Sequence, residues 1–156
     1  PMIGTTAPRV MSLRDGSAKM SKSDPSDASR INLMDDDDVI VQKIRKARTD
    51  AEPSPEDPAQ LDGRAEAATL AGIYAALSGE SRADVCARFA GQGFGAFKPA
   101  LADLLVEKLS PIRARFAELK DDVTAIDAIL VDGAARARAI AAPTLAAAQA
   151  ALGLHA

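Results

Sequence analysis

From residue 65 to the C-terminus, apolar residues recur every three or four positions, the spacing that brings them to one face of an α-helix. Leu70 and Leu77 are seven residues apart on such a face, and Gly79 follows where a helix can end. Ser81 and Asp84 then have the form of a capping box, which opens the next helix. The pattern predicts a mainly α-helical fold of about five or six helices.

The longest periodic segment extends over residues 97–119 and carries two prolines. Pro99 suits the first turn of a helix, whereas Pro111 should kink it. We expect this segment and the helix that carries Leu70 and Leu77 to share an apolar core, and the chain before Ser29 to have no such partner. A last, alanine-rich helix should kink at Pro143.

Composition excludes several kinds of site. The single histidine, His155, rules out a zinc site built from Cys and His, and the single Cys86 rules out an internal disulfide. A net charge of −3 argues against nucleic-acid binding by bulk counterion release, so any RNA contact must come from local basic patches. No segment resembles a signal peptide or a membrane span, and we expect a soluble, cytoplasmic protein.

Four consecutive aspartates at residues 35–38 allow two interpretations. They could form a metal site, but consecutive residues on a helix cannot converge on one ion. Acidic residues here and cations at Lys43, Arg45 and Lys46 would instead match the two ends of a helix dipole. We therefore predict that the run starts a helix, and we expect no metal site in the chain.

Lys19 and Lys22 stand three residues apart in a segment that is rich in small polar residues. Residues 9–13 alternate as in a short strand, and residues 16–29 have the composition of an exposed loop. Two ammonium groups three residues apart suit an anion, and phosphate is the first candidate. A lysine pair alone is common on solvated surfaces, so the neighbouring sequence decides between the two interpretations.

Residues 19–23 read Lys-Met-Ser-Lys-Ser and are followed by Asp-Pro. Residues 43–50 read Lys-Ile-Arg-Lys-Ala-Arg-Thr-Asp, and residues 91–98 read Gly-Gln-Gly-Phe-Gly-Ala-Phe-Lys. The first motif resembles the KMSKS loop of the class I aminoacyl-tRNA synthetases. The other two resemble the tryptophan branch of that family more than its tyrosine branch, and the resemblance covers nearly the whole chain.

This resemblance implies an enzyme that activates tryptophan with ATP and Mg²⁺, transfers it to tRNA(Trp), and works as a homodimer. Lys19 and Lys22 would be catalytic, because negative charge grows on the pyrophosphate as it leaves. The backbone of Val10 and Met11 would touch adenine, and the chain would hold no tightly bound cofactor. The implied ATP-binding residues are Val10, Met11, Lys19, Met20, Ser21, Lys22 and Ser23.

The family's His-x-Gly-His stretch is missing, because the chain's one histidine is His155. We therefore expect the C-terminal portion of a longer enzyme, inactive by itself. Residues 1–30 would be the edge of a Rossmann-type catalytic domain that is mostly absent, with a short strand and the KMSKS loop. Residues 31–156 would be the α-helical anticodon-binding domain. A stand-alone helical RNA-binding module derived from a synthetase, and a helical interaction domain with an incidental loop, remain alternatives.

RNA contacts could come from cations of the helical half, although a cation near a helix C-terminus is stabilising without any ligand. Aromatic side chains that could stack on anticodon bases make up only 3 % of the chain, so no individual anticodon residue is assigned. The candidate cations are Lys43, Arg45, Lys46, Arg48, Arg113, Arg115, Lys120, Arg136 and Arg138.

Overall fold

The computed structural model describes residues 9–154, so residues 1–8 of the expected catalytic-domain edge, and His155, lie outside the described part of the chain. Residues 9–154 contain five α-helices, two short 3-10 turns and no β-strand. The mainly α-helical class expected from the periodicity is confirmed. The helices are α1 (Asp37–Lys46), α2 (Ala65–Ser78), α3 (Arg82–Phe89), α4 (Phe94–Asp121) and α5 (Val123–Ala151).

The short strand expected over residues 9–13 is reduced to one antiparallel bridge, which joins Met11 to Lys19. The chain leaves this pairing at once, because the Leu13 N–H donates to the Ser29 carbonyl and the Leu13 carbonyl accepts from the Arg48 N–H. A ladder needs several successive pairs between neighbouring segments. Residues 9–13 therefore bond to three different parts of the chain instead of forming a strand.

Helix ends follow the local signals in the sequence. The side chain of Asp36 caps α1 by accepting from the Val39 N–H, so the aspartate run starts a helix as predicted. Gly79 ends α2 with a φ of 77°, in the left-handed region that favours glycine. Ser81 and Asp84 form the predicted capping box of α3.

Pro99 differs from its expected position, whereas Pro111 and Pro143 lie inside helices as expected, and the kinks at these two prolines stay predictions. Because α4 begins at Phe94, Pro99 lies in its second turn and not in its first. Pro111 also lies inside α4, and α5 continues through both Gly133 and Pro143. Interior prolines remove a backbone donor, but helical residues on either side can keep the helix continuous.

The chain divides into two compact units, the first ending at Arg113 and the second starting at Ala114, so the division falls within α4. The apolar core of the first unit includes Leu13, which is 2 % exposed. The expectation that the chain before Ser29 lacks a core partner was therefore wrong. Tyr74, Phe89 and Phe97 form an aromatic cluster in this core. Its ring centroids lie 4.8–5.7 Å apart.

Burial along the predicted stripe of α4 stops partway. Phe97, Leu101 and Leu105 are buried, whereas Ile112 and Phe116 are about half exposed. In the second unit, α5 buries none of its described residues. No helix within residues 9–154 is long and apolar enough to cross a membrane. The expected domain division between residues 30 and 31 stays a prediction.

Candidate functional site

The segment before the two lysines is folded back on itself as a tight turn. The Met20 N–H donates to the Val10 carbonyl at 3.0 Å, and the Ser12 N–H donates to the Ala18 carbonyl at 2.8 Å. These bonds flank the Met11–Lys19 bridge, which makes it a non-hydrogen-bonded pair. The Met11 backbone N–H and C=O therefore point away from the lysine segment.

Lys19 and Lys22 project from an ordered loop into solvent. Both side chains are exposed, and neither forms a salt bridge with another residue in the described range of 9–154. The Asp24 N–H donates to the Ser21 carbonyl at 3.3 Å, and the Ser23 N–H donates to the Ser21 Oγ at 3.2 Å. The loop thus presents two ammonium groups on a backbone that is already turned.

Arg30 contacts this loop from the side of the helical core. Its Nη1 donates to the Asp24 carbonyl at 2.9 Å and to the Ser21 carbonyl at 3.4 Å. Its Nη2 pairs with the Asp27 carboxylate at 3.0 Å, and its Nε donates to the Asn32 side-chain oxygen at 3.2 Å. The planar guanidinium offers several donors in fixed directions, so one side chain connects four points on the chain.

Lys43 of α1 joins two carboxylates in the same cluster. Its Nζ lies 2.6 Å from Asp27 Oδ2 and 2.6 Å from Asp35 Oδ2, and its side chain is only 9 % exposed. Asn32 also bonds to both carboxylates through its side-chain amide. The loop following the exposed lysines is therefore attached to α1 through charged hydrogen bonds.

The pKa values in the cluster follow from these contacts. Burial by itself lowers the pKa of Lys43, but hydrogen bonds to Asp27 and Asp35 outweigh it, and the pKa is raised. Burial opposes ionisation of Asp35, yet hydrogen bonds from Lys43 and Asn32 bring its pKa below the ordinary value. The pKa of Asp27 is lowered, mainly by hydrogen bonds from Lys43 and Asn32. All three groups are held in their charged forms.

The aspartate run is used by the protein itself. Asp35 pairs with Lys43, Asp36 caps α1, and Asp37 accepts from Arg113 and from the Ser110 hydroxyl. Among residues 9–154, no group of three or more His, Cys, Asp or Glu side chains is arranged to hold a metal ion. Because each of these three aspartates bonds to a different partner, their carboxylates do not converge on one ion.

The candidate RNA-contacting cations differ in their availability. Lys43 is buried and ion-paired, so it is no longer a candidate for RNA contact. Arg113 bonds to the acidic start of α1, while Arg48, Arg115 and Arg136 each lie beside a nearby acid. The candidates that form no salt bridge with another described residue are Arg45, Lys46, Lys120 and Arg138.

Two cavities lie beside these elements. One, of about 410 Å³, lies between α1 and α4 and is lined by Val41, Phe94 and Lys98 among others. The second, of about 170 Å³, lies between α2 and the segment that contains Val10 and Met11. The first unit therefore has open space next to the residues that the resemblance assigns to adenine.

Sequence reasoning missed Arg30, Asp27 and Asn32, which support the lysine loop. One local signal was available, because Asp27 and Arg30 are three residues apart with opposite charges. The contacts of Arg30 with backbone carbonyls had no signal in the sequence, since every residue supplies a carbonyl.

Residues 1–110 match the family model described as tRNA synthetases class I (W and Y). The match covers more than half of the chain. The chain belongs to this family. The motifs at residues 19–23, 43–50 and 91–98 had indicated the same family before any comparison.

Curated members of the family extend the comparison. The chain is 60 % identical over 146 residues to a tryptophan–tRNA ligase of Caulobacter vibrioides, and 58 % identical over 145 residues to one of Agrobacterium fabrum. These alignments cover 94 % and 93 % of this chain but only 42 % and 41 % of the two relatives. The chain therefore spans about two fifths of the length of the curated relatives it matches.

Solved structures show the same fold. The chain superposes on tryptophanyl-tRNA synthetase from Mycoplasma pneumoniae with a TM-score of 0.81 and 25 % identity, over 98 % of this chain and 47 % of the other. The enzyme from Campylobacter jejuni, complexed with ADP and tryptophan, gives a TM-score of 0.60 and 25 % identity, over 94 % of this chain and 44 % of the other. The helical architecture of this chain is thus that of a segment of these synthetases.

Proposed function

We propose that this chain is the C-terminal part of a tryptophan–tRNA ligase, which joins tryptophan to tRNA(Trp) in two steps with ATP. The observation that carries the proposal is the 60 % identity over 146 residues to a protein named for that activity. The chain alone would not activate tryptophan, because it has no His-x-Gly-His stretch and covers a minority of its relatives' length.

In this proposal, residues 19–23 are the KMSKS loop and bind the phosphates of ATP. The tryptophan carboxylate attacks the α-phosphorus, the bond to the bridging oxygen breaks, and pyrophosphate leaves with the negative charge. Lys19 and Lys22 would meet that charge as it develops, which lowers the barrier more than it strengthens ATP binding. Their exposure and lack of ion pairs with other described residues support the role.

The hydroxyls and backbone of the same loop would add hydrogen bonds. Ser21 Oγ already accepts from the Ser23 N–H, which leaves the Ser21 hydroxyl hydrogen free to donate to a phosphate oxygen. Met20 would line the nucleotide site beside Lys19. Mg²⁺ would arrive with ATP as part of the substrate, since residues 9–154 offer no cluster of metal ligands.

Adenine would lie against the backbone of Val10 and Met11. The N–H and C=O of Met11 point away from the lysine segment and can pair with the edge of a base. The Val10 carbonyl already accepts from the Met20 N–H, so Val10 would contribute mainly contact surface. We expect Met11 to supply the hydrogen bonds that distinguish adenine.

Residues 31–156 would form the part that binds the anticodon region of tRNA(Trp), with residues 1–30 belonging to the catalytic domain. Of the candidate cations, Arg45 and Lys46 of α1 are exposed and form no salt bridge with another described residue. The homodimer and the cytoplasmic location stay predictions from the family resemblance and from the single cysteine.

The proposal is tested in the full-length protein that contains this chain. Lys19→Ala and Lys22→Ala should each slow tryptophanyl-adenylate formation by roughly ten- to a hundredfold, because a charge-assisted hydrogen bond is worth about 1.5–3 kcal/mol. Tryptophan binding should stay nearly unchanged, and Lys22→Arg should recover part of the rate. Rapid-quench measurement of adenylate formation gives the rate directly.

Lys108→Ala is a matched control, since Lys108 is an exposed lysine of α4 that pairs with the neighbouring Glu107. Its adenylate formation should equal that of the unmodified protein. If both loop variants also formed adenylate at the unmodified rate, the loop would have no part in phosphate chemistry and the proposal would fail.

A further inference from the structure

We infer that Arg30 is a positioning residue for the loop that carries Lys19 and Lys22, clamping the loop backbone on both sides of Lys22. This inference rests on the proposed role of the two lysines toward ATP. Arg30 itself touches no reacting group; it acts through the shape of the loop.

The clamp is built from backbone carbonyls. Arg30 Nη1 donates to the carbonyls of Ser21 and Asp24, which flank Lys22 at distances of one and two residues in the chain. Because carbonyls belong to the main chain, these bonds fix the path of the backbone and leave the loop side chains free. The Asp24 N–H to Ser21 carbonyl bond closes the same turn. The position from which Lys22 projects is therefore determined by Arg30.

The clamp has its own support in α1. Arg30 Nη2 pairs with Asp27 at 3.0 Å, and Asp27 also lies 2.6 Å from Lys43 Nζ, whose side chain is 9 % exposed. The side chain of Arg30 is itself only 17 % exposed, so its position is restricted by packing as well as by charge. Asp27 is 57 % exposed, so solvent weakens its charge interaction with Arg30, and the bond to the buried Lys43 is what restricts the Asp27 carboxylate. The connection runs from helix to loop through three charged groups.

A loop held in one shape before ATP arrives loses less conformational entropy when it closes on the phosphates. Without the clamp, residues 21–24 would sample more conformations, and part of the binding energy of the lysines would be spent on ordering them. The effect would fall on steps that use ATP. Binding of tryptophan should not change, because the proposed function gives this loop no contact with tryptophan.

The test compares Arg30→Lys with Arg88→Lys in the full-length protein. Lysine keeps the charge at position 30 but cannot reproduce the planar fork. Arg88 is a half-exposed arginine of α3 whose guanidinium pairs with Glu80, so its replacement controls for the loss of a guanidinium as such. The readouts are hydrogen exchange of the Ser23 and Asp24 amides, kcat/KM for ATP, and KM for tryptophan.

For Arg30→Lys we expect faster amide exchange at both positions and a fall of about tenfold in kcat/KM for ATP, as for a lost charged hydrogen bond. KM for tryptophan should stay unchanged, which a general loss of folding would not allow. Asp27→Asn weakens the ion pair that holds Arg30 in place. It should change amide exchange and kcat/KM for ATP in the same direction, by a smaller factor. This second variant keeps the test valid should Arg30→Lys fold poorly.

Wild-type values of exchange and of kcat/KM for ATP in Arg30→Lys would overturn the inference. So would faster exchange with unchanged ATP kinetics, or equal losses for ATP and tryptophan. If the ATP-dependent rate falls in Lys22→Ala but not in Arg30→Lys, then Arg30 has no positioning role and the proposed function still stands. If the rate of adenylate formation is unchanged in both Lys19→Ala and Lys22→Ala, both proposals fail. Arg30 would then position a loop that has no role toward ATP.

Discussion

Gly16 lies against the first turn of α2, so close to Ala65 that a β-carbon on Gly16 would be 2.4 Å from the Ala65 carbonyl carbon. Real β-carbons do not approach backbone atoms at that distance, so a side chain at Gly16 would push the two segments apart. Gly16 lies three residues before Lys19, and its contact with Ala65 therefore helps to set where the lysine-bearing segment begins. Glycine is required here by close packing and not by an unusual φ.

Gly16→Ala should lower the free energy of unfolding by about 1–3 kcal/mol, the range for overpacked sites. Gly95→Ala is its control, since a β-carbon there meets nothing within 4 Å and alanine is the better helix former. That control should be neutral or stabilising by up to about 1 kcal/mol. Urea unfolding of the two variants measures both changes, and equal stabilities would contradict the close contact.

Two phenylalanines of α4 should differ sharply when truncated. Phe97 is 3 % exposed and packs edge-on against Phe89, whereas Phe116 is 50 % exposed. Phe97→Ala should lower the free energy of unfolding by about 3–5 kcal/mol, as for a buried aromatic side chain. Phe116→Ala should lower it by less than about 1.5 kcal/mol. Chemical denaturation of each variant gives the values. Similar costs would mean that the apolar stripe is buried along its whole length.

The pH dependence of stability should reveal the cluster around Lys43. The folded-state pKa values of Asp27 and Asp35 lie below the ordinary value of 3.8, because both carboxylates accept hydrogen bonds from Lys43. Their contribution to stability is complete above that value and is lost as the pH falls through the lowered pKa values. Lys43→Met removes the part of this dependence that comes from Lys43, whereas the hydrogen bonds from Asn32 to both carboxylates remain.

We therefore expect unmodified protein to be more stable than Lys43→Met near neutral pH, with the difference narrowing as the pH falls below 3.8. Urea midpoints measured across the acid range test this. Lys46→Met, which changes an exposed lysine of the same helix, should show no such narrowing. A difference between the unmodified protein and Lys43→Met that stayed constant through the acid range would show that the charges contribute nothing.

Lys98 connects α4 to the end of α1, where its Nζ donates to the Ala47 carbonyl at 2.8 Å. A cation at this point satisfies a carbonyl left without a helical partner and interacts favourably with the helix dipole. Lys98→Met should cost about 1.5 kcal/mol, the lower end for a charged hydrogen bond. Lys108→Met, at an exposed pair, should change stability by less than about 0.5 kcal/mol. Calorimetric unfolding measures the free energy of unfolding of both variants. Equal changes in Lys98→Met and Lys108→Met would argue against the capping role of Lys98.

The features that sequence alone determined are those set within a few residues of the chain. Gly79 ends α2 and Ser81 caps α3 because both signals act through backbone groups at most four positions away. The aspartate run starts α1 for the same reason. The motif at residues 19–23 also needed no structure, since residue identity and order carry it.

What packs against each element was decided only by the tertiary structure. The stripe of α4 has one periodicity throughout, yet Phe97 is buried and Phe116 is half exposed, because burial depends on segments distant in the chain. Leu13 entered the core for that reason, against expectation. Arg30 and Lys43 support the lysine loop because folding brings α1 close to the loop and two loop carbonyls close to Arg30. Neither periodicity nor a sequence motif predicts such contacts.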